Sequence, residues 1–178
     1  GLDVHARQIT AVRQLGDQAA QPAQKFTKAG LLVWVKRMVA AGAVVHSCYE
    51  AGVMGYTLHR ELTALGAHNV VVAPQKLSGA KRQKTDALDA LALCERLDRY
   101  VRGNRRLLSI VRVPTPEQEQ ARAKVRLREQ LSRQRRMAEA RGRCLLMGQG
   151  YEVPKYWWQK AKWAALCQTL PDWLKELM

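Results

Sequence analysis

GLDVHARQITAVRQL, residues 1–15, decides the fold. LDVHA at 2–6 and the apolar-leaning run 9–15 read as two strands joined by a tight turn, with 25–27 as a short third. Leu31, Leu32, Val35, Met38 and Val39 then recur at helical spacing and stop at Gly42. AVVHSCY at 43–49 has the near-continuous apolar character of a buried strand. Leu58, Leu62 and Leu65 line one face of a helix ending at Gly66, where a left-handed cap needs no Cβ. NVVVA at 69–73 is another strand, ended by Pro74, and a basic loop leads into a helix over about 85–100. Strands, helix, strand, helix, strand, loop, helix is an α/β order with a mixed sheet.

The charge is uneven along the 178 residues. Residues 1–100 carry 13 Lys and Arg against 8 Asp and Glu, net +5, whereas residues 101–178 carry 17 against 7, net +10. RGNRR at 102–106 and the prolines Pro114 and Pro116 mark the seam. Apolar residues at 47% provide for a core, so the overall +15 belongs to a folded protein and suits a polyanionic partner. No apolar run reaches the roughly 18 residues a membrane-spanning helix needs, so no membrane partner is expected. The start lacks both an initiator Met and the n-region of a signal peptide, so a segment of a longer chain or a processed chain is expected. Cys48, Cys94, Cys144 and Cys167 are widely spaced and form no zinc-like pattern with His5, His46, His59 or His68. Free thiols are the simplest expectation.

Past the seam the chain reads helical. Thr115 is a candidate N-cap, followed by Glu117 and Glu119, whose charges suit a helix start. Nine Arg and Lys against two Glu fill residues 122–143, with Arg122, Arg126, Arg133 and Arg136 near one face and only a thin apolar stripe at Ala121, Val125 and Leu131. Such a helix is expected to project or to pair with another. The tail with Trp157, Trp158, Trp163 and Trp173 reads as less organised. Trp157 and Trp158 could stack on unpaired bases or anchor helix packing.

Acidic residues are few in the first part, so their positions carry information. Asp3 lies inside an apolar strand, where an ionised carboxylate needs a hydrogen bond, a counter-charge or a metal. Glu50 ends the strand AVVHSCY and is followed by Gly52, which permits close approach of a backbone or phosphate. Asp86 and Asp89, three apart, share one helix face. If these four converge, their mutual repulsion is relieved by Mg2+ or Mn2+. Two such ions about 4 Å apart could activate a hydroxyl and stabilise the leaving oxygen of a phosphodiester. The plainer alternative makes Thr85 and Asp86 a capping pair, Asp89 a surface residue and Glu50 a loop residue. Lys76, Lys81, Arg82 and Lys84 precede Asp86, where they could hold a phosphate backbone or simply be a solvated loop. His5 shares a strand face with Asp3; contact with substrate or metal and the commoner satisfied core histidine both stay open.

Several of these segments match a family. GLDVHA at 1–6, YEAGVMGYTLHREL at 49–62, VVAPQKL at 71–77 and KTDALDALALCERL at 84–97 resemble the DEDD transposases of insertion sequences, relatives of the Piv site-specific DNA invertase. VRVPTPEQE at 111–119 and GYEVPKYWWQKAKWAAL at 150–166 are similar to the same family. The resemblance implies an RNase H-like (RuvC-like) mixed sheet with flanking helices over 1–110, then a mostly helical, coiled-coil-type region over 111–178. It implies a catalytic, Mg2+- or Mn2+-binding tetrad at Asp3, Glu50, Asp86 and Asp89. It also implies double-stranded DNA as substrate, assembly to dimers or tetramers, a cytoplasmic, nucleoid-associated bacterial or archaeal setting, and in some members a structured non-coding guide RNA. Arg122, Arg126, Arg133 and Arg136 would then grip nucleic-acid backbone and not bases.

Family members carry an attacking serine in a further C-terminal domain, and none of Ser47, Ser78, Ser109 or Ser132 matches it. The expectation is a transposase segment holding the metal half of an active site, incomplete alone. A junction nuclease using water, or a non-catalytic DNA- or RNA-binding fragment, are the competing readings.

Overall fold

A hairpin starts the structure, a computed structural model that describes residues 1–74 and 85–178. Strand β1 (Leu2–Val4) pairs antiparallel with β2 (Ile9–Ala11), Asp3 opposite Thr10, and β2 pairs antiparallel with β3 (Gln24–Phe26). β1 runs parallel to β4 (His46–Glu50), and β4 parallel to β5 (His68–Val72). The sheet order is β3-β2-β1-β4-β5. Helices α1 (Lys28–Ala40), α2 (Thr57–Ala64) and α3 (Asp86–Val101) flank it. This is the RNase H-like, RuvC-like topology: an antiparallel trio extended by parallel strands reached through helical crossovers.

Local chemistry sets the helix ends. Thr27 caps α1 by accepting from the Gly30 N–H at 3.1 Å, and Thr85 caps α3 through Leu88 N–H. Gly66 closes α2 at φ +91°, the left-handed conformation its place in the sequence predicts. β4 begins at His46, later than the expected start at 43, because the turn at Gly42 (φ +82°) leaves Val44 73% exposed. β2 likewise ends at Ala11 and does not run to 15.

The period of two sorts β4 between two cores. Tyr49 packs with Leu2, Ile9, Leu31, Val35, Leu58, Leu62 and Val71. Its neighbour Cys48 packs with Val72, Leu93, Leu97 and Leu108 on the α3 side. After α3 and a 3-10 turn at Arg105–Leu107, the chain returns to the sheet beside β5: Ile110 bridges Val72, and Val111 N–H donates to Val71 O at 2.8 Å.

Two compact units divide the chain, Gly1–Val113 and Pro114–Met178. The second opens with α4 (Pro116–Gly148), started by a capping box in which Thr115 accepts from Gln118 N–H and the Gln118 side chain accepts from Thr115 N–H. Every residue from 120 to 131 is exposed.

The tryptophan-rich tail is better organised than its sequence suggests. It forms α5 (Lys160–Cys167) and α6 (Asp172–Glu176), which with the end of α4 enclose Leu146, Trp157, Leu166, Leu170 and Leu174. Trp163, Leu166, Leu170 and Leu174 keep a helical spacing across Pro171, and Gly142 supplies a notch for the Trp157 ring. The pattern is legible only when the short helices are read as one face. Among the described residues, no helix is long and apolar enough to cross a membrane.

Candidate metal centre

β1 lies at the middle of the sheet, flanked by β2 and β4, and α3 packs across it. A Cβ at Gly1 would overlap the Ala90 carbonyl and the Cys94 amide, so strand and helix backbones approach as only glycine allows. That approach, with Ala90 fully buried, sets the first turn of α3 beside β1. Asp86 and Asp89 therefore come to the carboxylate of Asp3.

His5 directly follows β1. Its backbone N–H donates to Gln8 O at 3.0 Å, closing the hairpin turn. Its Nε2 lies 3.0 Å from Asp3 Oδ2 and 3.7 Å from Asp86 Oδ1. Asp3, His5 and Asp86 each offer one ligand atom, and all three atoms lie within 4.8 Å of one another. His5 is 58% exposed in its side chain, so it is not the satisfied core histidine its sequence also allowed. The signal was the alternation along β1.

Glu50 joins from β4. Asp3, Glu50 and Asp89 line one cavity of about 200 Å³, closed by Leu93 and by the loop Ala51, Gly52, Val53 and Met54. Two bonds fix that loop: Ala51 N–H donates to Val72 O at 2.7 Å, and the buried Tyr49 hydroxyl donates to Gly55 O at 3.1 Å. Asp3 thus meets His5 and Asp86 directly and shares the lining of one cavity with Glu50 and Asp89.

The electrostatics agree with a cation site. Burial pushes the Asp3 carboxyl above its ordinary range; His5 opposes this by charge and hydrogen bond, and the Asp86 and Asp89 charges raise it further. A half-buried carboxylate held against two others favours bound positive charge. The carboxylate oxygens of Asp3 and Asp86 with the His5 imidazole nitrogen are a donor set a divalent cation accepts. The residues fit the group.

The basic residues divide. Lys76, Lys81, Arg82 and Lys84 lie outside the described residues. Arg122, Arg126, Arg133 and Arg136 are all exposed on α4. At about 100° per residue they fall within an arc of roughly 80°. Trp157 is only 7% exposed and belongs to the core around Leu146, which removes it as a base-stacking platform. Trp158 is more exposed and meets Tyr156 edge-on, with ring centroids 5.5 Å apart. Tyr156, at φ +59°, is a strained position the sequence did not flag.

An RNase H-like mixed sheet with Asp3, His5 and Asp86 gathered at β1 and the start of α3 defines the class: a RuvC-like fold with a candidate divalent-metal centre. Comparison with known proteins narrows it. Over 104 residues the chain is 38% identical to y4rJ of Sinorhizobium fredii, which carries a transposase name. Over 98 residues it is 33% identical to the transposase for insertion sequence element IS1533 of Leptospira borgpetersenii. These matches cover 57% and 52% of this chain but 26% and 28% of the relatives. A second Sinorhizobium fredii protein with a transposase name, y4qE, is 35% identical over 102 residues. The chain spans about a quarter of the length of the curated relatives it matches. No family model matches it. The chain is similar to insertion-sequence transposases.

Proposed function

We propose that this chain is the metal-holding part of a DEDD-type DNA transposase. Residues 1–110 would form its RuvC-like domain and residues 111–178 its basic helical region. The observation that supports the reading is the meeting of Asp3 with His5 and Asp86, beside a cavity that Asp3 lines together with Glu50 and Asp89. These carboxylates would hold Mg2+ or Mn2+, which when bound neutralises phosphate charge and favours ionisation of the attacking hydroxyl.

The chain's own residues do the rest. Asp3, which meets His5 and lines the cavity with Glu50 and Asp89, would be the ligand common to both sides of the site. Gly52, beside Glu50, leaves room for a phosphodiester backbone. The arginines of α4 bind that backbone, or that of a guide RNA, through charge. The attacking serine would come from a further domain, and pairing of α4 between copies would give dimers or tetramers.

The test is DNA strand exchange by the whole transposase carrying Asp3→Asn or Asp86→Asn. Both variants should lose activity by about 10²–10³-fold, as loss of a transition-state charge clamp implies. Retained exchange would overturn the metal role. Cleavage of branched DNA by these 178 residues alone with Mg2+ would instead assign a complete nuclease. Salt-dependent binding that survives loss of all four carboxylates, without cleavage or metal uptake, would assign a binding module.

A further inference from the structure

We infer that His5 is a metal ligand whose nitrogen gives the position between Asp3 and Asp86 a preference for Mn2+ over Mg2+. The inference rests on the reading that these carboxylates hold a divalent cation, and it goes beyond the four-carboxylate set.

Strand alternation puts Asp3 and His5 on one face, and the His5 N–H to Gln8 O bond holds the residue at the strand end. An imidazole exposed at 58% is free to extend into water. Here it lies between two carboxylates, with Nε2 at 3.0 Å from Asp3 Oδ2 and 3.7 Å from Asp86 Oδ1. Three donors within 4.8 Å of one another suit the edges of a single coordination sphere. The neighbouring group of Asp3, Glu50 and Asp89 offers oxygen alone.

Ligand type separates the two positions. An all-oxygen set in near-ideal octahedral geometry suits Mg2+, whereas a nitrogen donor favours first-row transition cations, Mn2+ among them, over Mg2+. The other described imidazoles are committed elsewhere: His46 stacks on His68 at 5.0 Å between centroids, and His59 Nδ1 pairs with Asn69 Oδ1 at 2.8 Å. A nitrogen signal from bound Mn2+ therefore reports on His5.

The experiment loads the 178-residue chain with Mn2+ and records pulsed electron-spin-echo modulation, alongside calorimetric titrations with Mn2+ and with Mg2+. The expected result is ¹⁴N modulation in the parent that disappears in His5→Gln. Mn2+ affinity should fall about tenfold or more and Mg2+ affinity change less than about twofold. Because His5 is exposed, His5→Gln should keep the fold, checked by circular dichroism. His5→Asp, which restores an oxygen donor, should bind Mg2+ more tightly than the parent. Mn2+ bound at parental affinity in His5→Gln, or without ¹⁴N modulation in the parent, overturns the ligand role and leaves the carboxylate reading standing. Absence of any Mn2+ or Mg2+ uptake that Asp3→Asn removes overturns both.

Discussion

Asp3 and Asp86 stand on different elements, the middle of β1 and the first residue of α3, yet both carboxylates reach the same imidazole nitrogen, at 3.0 and 3.7 Å. Such crowding is costly without a cation, and functional sites commonly carry stability costs of this kind. Asp3→Asn removes one charge and should raise the Tm of the metal-free chain by about 2–5 °C. Added Mg2+ or Mn2+ should raise the parental Tm but not that of Asp3→Asn. Differential scanning calorimetry with and without metal checks both.

The exposed arginines of α4 make a second prediction. Replacing Arg122, Arg126, Arg133 and Arg136 together by Ala should weaken binding to double-stranded DNA of any sequence. The slope of log K against log salt should become shallower by about 3–4 units if each arginine contacts one phosphate. Fluorescence anisotropy over a salt series measures this. An unchanged slope removes these residues from the interface.

Thiol reactivity should follow burial. Cys48 is fully buried, burial pushes its pKa up to about 11, and its Sγ–H donates to Leu93 O at 3.5 Å. Cys144 is exposed on α4. Iodoacetamide at neutral pH should label Cys144 first and Cys48 only on unfolding. Mass spectrometry of timed digests reads the order.

His46 supplies a pH dependence. Burial lowers its pKa, and the facing charge of His68 lowers it further. The unfolded chain therefore binds this proton more readily than the folded one. The stability His46 contributes is present above the unfolded pKa of about 6.5 and is lost as pH falls from there toward the lowered folded value. Between pH 7.5 and 5, the parental Tm should drop more steeply than that of His46→Gln.

Close packing in the second unit gives the fifth. A Cβ at position 142 would come within 2.5 Å of the Trp157 ring. Gly142→Val should cost about 1–3 kcal/mol, the usual range for overpacking, and weaken the near-UV tryptophan signal. Gly148→Ala, where a Cβ meets open space, should leave that signal unchanged.

Much of the fold was legible along the chain. The alternation in LDVHA, the helical recurrence from Leu31 to Val39, the glycine at 66 and the caps at Thr85 and Thr115 are local patterns, and each names an element or its end. The two faces of β4 were less legible. Cys48 and Tyr49 are both apolar, and a strand buried on both sides shows no alternation to read. The helices of the tail are hidden in the sequence because their apolar spacing crosses Pro171.

The candidate site shows the same division. Asp3 stands out because a carboxylate inside an apolar strand needs a reason, Glu50, Asp86 and Asp89 by their places at a strand end and on one helix face, and the resemblance to DEDD transposases implies the same four. His5 could not be assigned from its neighbours, since the spacing that puts it beside Asp3 does not say whether the imidazole is buried or exposed. Sequence alone determined the order of strands and helices over residues 1–100, the caps at Thr85 and Thr115 and which carboxylates are anomalous, because propensity, periodicity and charge act over a few residues. Only the tertiary structure decided that β1 runs between β2 and β4, that Gly1 admits α3 against it, and that His5 meets both Asp3 and Asp86. Those contacts depend on packing between segments far apart in the chain, and no local pattern encodes a distance across it.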